Sequence, residues 1–234
     1  VTDEVVARLA ERGYWRVEIR PRAFAAQRVH STRDLQRIIE KCRVELRGWD
    51  FPHFGNDWDL PESQQWLGVE TNWSSHVEIW RAYVSGQFIF RGGVWTDWLD
   101  QHHFRGKGRD WQPKTGMPLV SSLWSISEFW EFAARYSQSD AGDDHMYVSV
   151  EFHGLKGRNL FGDHPRRHWS FDFGPARMDD FVFSRSLMRE DLIASAGALA
   201  VECATDLFGV FGYEASPDVL SSIQAELLHA KGRA

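Results

Sequence analysis

The stretch Tyr14–Pro21, YWRVEIRP, carries the first clear statement of how this chain folds. Trp15, Val17 and Ile19 alternate with Arg16, Glu18 and Arg20, the period-two pattern of a half-buried strand. Pro21 ends it. Downstream, Ser31 followed by Asp34 resembles a capping box with Asp in place of the usual Glu, and Leu35, Ile38, Ile39 and Cys42 then recur at helical spacing. The helix is expected to end near Arg43. Residues 44–49, VELRGW, follow as a second strand, so the first third reads strand, helix, strand.

Residues 50–63 turn to Asp, Asn, Pro and Gly, the composition of a long loop. Loops of this length inside a compact domain are either functional or mobile. Residues 65–70 and 76–84 read as further strands, and Ser85-Gly86 before QFIF is a tight hairpin connection. An antiparallel sheet is the natural result. Residues 95–103, WTDWLDQHH, read as a short helix followed by a Gly/Pro/basic loop. Ser125 or Ser127 then caps a helix through Tyr136, with Ile126, Phe129, Trp130 and Ala133 on one face.

The run QSDAGDD near residues 138–144 marks a boundary between two subregions, 1–138 and 145–234, which can equally form one continuous domain. Beyond it, residues 147–152, 168–173 and 181–187 alternate as strands. Residues 189–209 form a long helix with Leu192, Ala196, Leu199, Cys203 and Leu207 on one stripe and Ile193, Ala200, Ala204 and Phe208 beside it. So wide a stripe is expected to be largely buried, and Glu202 and Asp206 interrupt it in a way that argues against a membrane span. Ser216-Pro217 opens a last amphipathic helix with proline at its first position. The fold class expected is therefore α+β: a mostly antiparallel sheet with packed helices and a long buried helix near the C-terminus.

At 234 residues the chain can bury a sizeable core without staples. Its two cysteines, Cys42 and Cys203, lie far apart in helical segments, which favours buried thiols over a redox pair or metal site. With no signal-peptide pattern, a cytoplasmic location is expected. The net charge of -6 argues against coating nucleic acid through bulk electrostatics. The cations are 22 arginines and five lysines, and eleven of the twelve tryptophans fall between Trp49 and Trp169. That aromatic middle serves either the core or a binding platform.

The candidate ligand-binding residues are Arg47, Trp49, Asp50, His53 and Arg81. An arginine fork clamps carboxylate or phosphate, and a tryptophan offers a stacking face. In HVEIWRAY a regular strand sends His76, Glu78 and Trp80 one way and Val77, Ile79, Arg81 and Tyr83 the other. Asp50, His53 and Glu78 are the acid/base or metal-ligand set of an alternative reading, a metal-assisted hydrolase of the phosphodiester class. Arg105, Lys107, Arg109 and Lys114, with Trp111 among them, form a basic loop suited to nucleic acid, which Arg158, Arg166 and Arg167 extend. HExxH, paired CxxC, GxSxG, P-loop and GxGxxG patterns are all missing from the sequence, so no metal and no cofactor are expected.

Together GYWRVEIRP, VELRGWDFPHF and HVEIWRAYVSGQFIF resemble an uncharacterised bacterial segment found in proteins that carry an AlbA/Schlafen-like nucleic-acid-binding domain. The likeness covers roughly residues 13 to 100, and the chain shows no recognisable version of the AlbA-like domain itself. What the resemblance implies is a soluble bacterial accessory or sensing module. The function expected is a non-enzymatic ligand-binding or regulatory module, its partner a small ligand or a protein. The small residues Ala196, Gly197 and Ala200 also permit a homodimer contact.

Overall fold

The structure is a computed structural model in which residues 3–46, 49–54, 65–73, 76–101, 112–164 and 172–230 are described. In chain order the elements are α1 (Asp3–Arg12), β1 (Tyr14–Pro21), α2 (Thr32–Cys42), β2 (Trp66–Trp73), β3 (His76–Tyr83) and β4 (Phe88–Gly93). A 3₁₀ turn (Trp95–Gln101) leads to β5 (Gly116–Pro118), α3 (Leu119–Ser137), β6 (His145–His153), β7 (Asn159–Phe161) and β8 (Asp172–Phe173). The chain continues through β9 (Asp180–Met188), α4 (Arg189–Gly209) and α5 (Pro217–Ala230). Six strands make an antiparallel sheet in the order β2-β3-β4-β1-β6-β9, and β5, β7 and β8 make a smaller sheet beside it. The class is α+β.

The alternation in YWRVEIRP is realised as the burial pattern of β1, which lies in the middle of the sheet. Its apolar face continues laterally through every strand: Val69, Trp80, Phe90, Val17, Val150 and Phe183 pair in turn across one row. All six are buried. Helices α3, α4 and α5 cover this face, and residues on both sides of 138–144 contribute to one sheet and one core. The opposite face carries a charged lattice on β1 and β6, in which Arg16 bonds Glu18 at 2.8 Å and also Glu151. Toward β3 that face is closed by α1, whose Val5 and Leu9 pack on Val77, Ile79 and Trp98.

Local signals explain several element ends. Ser31 caps α2 by accepting from the Asp34 backbone N–H at 3.2 Å. The hairpin between β3 and β4 turns at Gly86, whose φ of +87° suits glycine. Helix α4 runs over the expected residues with the Leu192, Ala196, Leu199, Cys203 and Leu207 stripe buried, although Ile193 beside it is 42% exposed. Among the described residues it is the one helix long and apolar enough to cross a membrane; here half of it is buried against the rest of the fold. The close approach at Gly197 is used internally, since Gln224 of α5 donates to its carbonyl at 3.1 Å.

Three expectations are corrected. The expected strand over residues 44–49 is not seen at its described residues 44–46 and 49, where Val44 makes only an isolated antiparallel bridge with Phe51; 47 and 48 lie outside the described residues. Helix α3 begins at Leu119, several residues before Ser125, because its first N–H groups are capped from a distant loop. Arg158 cannot extend a basic surface, since it is fully buried (0% exposed) and pairs with Asp97 (2% exposed) at 2.6 Å. Arg158 also donates to the carbonyls of Gly154 and Gly116 at 2.7 and 3.0 Å and to that of Arg12. It thereby ties α1, the 3₁₀ turn, β5 and the loop after β6 at one point.

Removing one partner of a buried ion pair leaves an uncompensated charge. Arg158→Leu is therefore expected to cost about 3–5 kcal/mol of folding free energy. Urea denaturation checks this, and a loss below about 1 kcal/mol would show that the pair is not a structural anchor.

Candidate functional site

The site begins where the chain reverses after α2. Val44 and Phe51 exchange two backbone hydrogen bonds of 2.8 Å, and the Arg43 carbonyl accepts from Arg135 at 2.6 Å. Phe51 follows a short reversal and anchors it, its ring lying 4.9 Å from those of Phe90 and Phe129 and 5.4 Å from that of Phe132. The Phe51-Pro52 peptide is cis. The Phe51 anchor, the Trp49–His76 stack and the Trp80–His53 bond hold Trp49, Asp50 and His53 against β3. The Trp49 ring is sandwiched between His53 at 3.9 Å and His76 at 3.8 Å, and Trp73 stacks beyond His76 at 6.1 Å. Asp50 pairs with the His53 ring at 2.6 Å and with Arg43 at 3.4 Å. The His53 carbonyl accepts the Trp80 indole N–H at 2.8 Å.

Beside this reversal lies a cavity of about 230 Å³. One row of the sheet contributes to its lining. One row beyond the six buried side chains, Glu78 of β3 pairs with Gly92 of β4, and Gly92 with Trp15 of β1. The Phe90 ring folds over the glycine, since a Cβ there would meet it at 2.4 Å, so a side chain at this position would displace a wall of the cavity. Trp49 and Asp50 form one wall, Trp95 another, and the first turns of α3 form the roof through Ser122, Ser125 and Glu128. That roof is held by Asp163 from the loop after β7. Its carboxylate accepts from the Val120 N–H at 2.6 Å, the Ser121 N–H at 3.1 Å and the Ser121 hydroxyl. A carboxylate at a helix N-terminus satisfies donors that lack an intrahelical partner.

Electrostatics single out Glu78. Burial pushes its carboxyl up to about 8; the His53 backbone N–H opposes this, the nearby Asp50 and Glu128 carboxylates add to it, and the Trp49 indole N–H opposes it again. Although the residue as a whole is partly exposed, one of its carboxyl oxygens is shut off from solvent and has no hydrogen-bond partner within bonding distance. The Trp49 indole nitrogen and the Ser122 hydroxyl are in the same condition. Ser122 is 2% exposed and Glu128 3% exposed, so these are interior groups facing a cavity rather than surface polar atoms.

Of the ligand-binding candidates, Trp49 and Asp50 line the cavity, and His53 supports both through its stacking and its bond. Arg81 does not join them. Strand parity sends it to the opposite face, where it lies over the Trp66 ring at 4.0 Å and lines a separate cavity with Ile79, Tyr83 and Arg91. Arg47 lies outside the described residues, as do Arg105, Lys107, Arg109 and Trp111 of the basic loop and Arg166 and Arg167. Lys114 is exposed on a turn, its φ is 66°, and its backbone N–H donates to Asp97 at 2.9 Å. Asp50, His53 and Glu78, the acid/base set, do come together at this one place. Among the described residues no three His, Cys, Asp or Glu side chains are grouped to hold a metal ion.

Sequence reasoning missed Ser122, Glu128, Trp95 and Gly92. The available signal was Glu128, which shares the run ISEFWEFAA with Glu131 and lies beside the apolar Phe129 and Trp130. No protein-family model, curated protein or solved structure matches the chain, so the AlbA/Schlafen-like resemblance rests on its quoted stretches alone.

The raised Glu78 carboxyl makes a signed prediction. An acid whose folded pKa exceeds its unfolded value of about 4.3 carries no ionisation penalty at lower pH. The penalty grows as pH rises toward about 8 and is complete above it. Between pH 5 and pH 9 the native chain should lose on the order of 3 kcal/mol more stability than Glu78→Gln. Asp50, Glu128, His53 and His76 also face this position, and because they are common to both proteins the difference isolates Glu78. Urea unfolding across the range provides the readout; parallel curves for the two proteins would rule the effect out.

Proposed function

We propose that the chain is a ligand-binding module, of an accessory or regulatory kind, that takes a small molecule into the cavity between β3, β4, β1 and α3. The observation that carries this reading is the buried Ser122 hydroxyl, which has no partner within bonding distance at the cavity, together with the Trp49 indole N–H and a Glu78 carboxyl oxygen, which act on one another there from beyond bonding distance. Leaving a buried polar group unsatisfied costs roughly 1–3 kcal/mol. An occupant that bonds to them offsets that cost. The surroundings suit such an occupant, since tryptophan and phenylalanine side chains supply much of the apolar wall and a few polar groups converge within it. At about 230 Å³ the cavity lies below the roughly 300–1,000 Å³ of drug-sized sites, which favours a small molecule.

A second reading, acid–base hydrolysis, draws on one further observation. Asp50 and His53 are bonded at 2.6 Å beside a carboxyl that keeps its proton at neutral pH. A proton donor next to an acid–imidazole pair is a workable general acid–base set. Its test is hydrolysis of an activated phosphodiester such as bis(p-nitrophenyl) phosphate, with turnover lost in the Asp50→Ala, His53→Ala, Glu78→Ala triple variant. Turnover that survives in that variant, or none in the native chain, rejects this reading.

For the binding reading, fragment titrations followed on the tryptophan indole resonances are expected to move Trp49. Ser125→Phe, which places a ring at the cavity roof, should abolish those shifts while leaving the fold intact. Shifts that persist in the variant, or a fragment set that moves no cavity tryptophan, would reject the cavity as a binding site.

A further inference from the structure

We infer that the second cavity, on the face of the sheet away from α3, is a site for a small carboxylate with an apolar body, received by the Arg91 guanidinium. This site is separate from the one proposed above and does not depend on it.

The sheet register places its parts. Arg91 of β4 stands opposite Ile79 of β3, and Arg81 of β3 stands opposite Ile89 of β4, so two arginines and two isoleucines occupy alternate corners of one square. Tyr83 continues that face along β3, and Val6 of α1 joins the lining. The cavity measures about 170 Å³, below the roughly 300–1,000 Å³ of drug-sized sites, so its occupant is small. Among the described residues, the lining carries two cationic side chains and no acid.

Arg91 is the cation at this cavity that the fold leaves uncompensated. Among the described residues no group accepts a hydrogen bond from its guanidinium and no acid pairs with it; its Nε is shut off from solvent, and the guanidinium lies 5.9 Å from the Tyr14 ring. Across β1 it faces Arg16, and like charges directly opposite one another destabilise a sheet. The acids of that face are engaged with other cations. Glu18 bonds Arg16 at 2.8 Å and Arg20 at 3.1 Å and accepts from Gln87 at 3.1 Å, while Glu151 pairs with Arg16. Arg16 and Arg20 therefore balance Glu18 and Glu151, which leaves Arg91 over. Arg81 is held above the Trp66 ring at 4.0 Å and adds its positive field rather than the principal contact.

The remaining walls select the kind of anion. A planar guanidinium receives a planar carboxylate through two parallel N–H···O bonds. The body behind that carboxylate then rests on Val6, Ile79, Ile89 and the Tyr83 ring. Inorganic phosphate has no such body, and its remaining oxygens would be desolvated against isoleucine without donors.

The experiment is isothermal titration of the full chain with benzoate, with benzamide as a neutral near-isostere and inorganic phosphate as an anion without an apolar body. Benzoate is expected to bind roughly tenfold or more tightly than benzamide, and more tightly than phosphate. Arg91→Gln should bring benzoate to within about twofold of benzamide, and Arg91→Lys, which keeps the charge but loses the fork, should fall between the two. Val6→Phe, on a different element, fills the cavity and should weaken benzoate and benzamide alike. Near-UV circular dichroism checks the packing of each variant. The Arg91 Nε–Hε resonance of the native chain, expected to shift with benzoate, gives a readout that needs no substitution. Equal binding of benzoate and benzamide, no binding of benzoate, or an Arg91 resonance that stays in place overturns the assignment. Phosphate binding as tightly as benzoate, and lost in Arg91→Gln, overturns the carboxylate in favour of a phosphate group. Benzoate binding lost in Ser125→Phe but kept in Arg91→Gln puts the ligand in the first cavity, which overturns this site while leaving the ligand-binding reading standing.

Discussion

The register of β1 between β4 and β6 is the constraint on which the helical side of this protein depends. Trp15, Val17 and Ile19 face α3 only because Tyr14 is aligned with Gly93 on one side and His153 on the other. A slip of one residue would turn Arg16 and Glu18 into the core and put the apolar residues in their place outside. The cross-strand bond from Arg16 to Glu151 reinforces the alignment from the polar face. The same alignment sets Gly92 between Glu78 and Trp15, so one register places residues of both the core and the cavity wall.

Around the cavity the molecule balances strong apolar anchoring against unsatisfied polar groups. Burying a phenylalanine contributes about 1.5–3 kcal/mol, while each net hydrogen bond of the Val44–Phe51 bridge contributes about 1 kcal/mol. The Phe51 ring, set among Phe88, Phe90, Phe129 and Phe132, therefore does at least as much as the bridge to hold the reversal that presents Trp49 and Asp50. The roof is held in a different way, by an acid from one loop capping the first turn of α3. Both arrangements fix the cavity walls through groups outside the cavity, which is how a site keeps its shape before anything enters it.

Much of the scaffold was legible in the sequence. The alternation in β1, the Ser31 cap of α2, the hairpin at Gly86 and the stripe of α4 are local signals that the tertiary structure reinforces. Other features depend on distant residues. No serine could reveal that α3 begins at Leu119, because its cap is Asp163, more than forty residues away. Helix α1 escaped notice because its buried stripe consists of only Val5 and Leu9. Trp49, Asp50 and His53 were readable as neighbours from their spacing, whereas Glu128 and Ser122 reach the cavity only through the docking of α3. Arg81 was misplaced even though the alternation of its own strand puts it on the face opposite Glu78.

The central place of β1 also bears on the order in which the sheet can form. Strands β2, β3 and β4 pair through short connections and can assemble early, but β1 must bridge to β4 across more than sixty residues and to β6 across more than one hundred. Long-range pairings close costly loops and form slowly. During synthesis β1 emerges well before its second partner, and until residues 145–153 arrive one of its edges remains an open template. The charged residues that alternate along that strand, Arg16, Glu18 and Arg20, are the sort of guard a nascent chain needs while it waits.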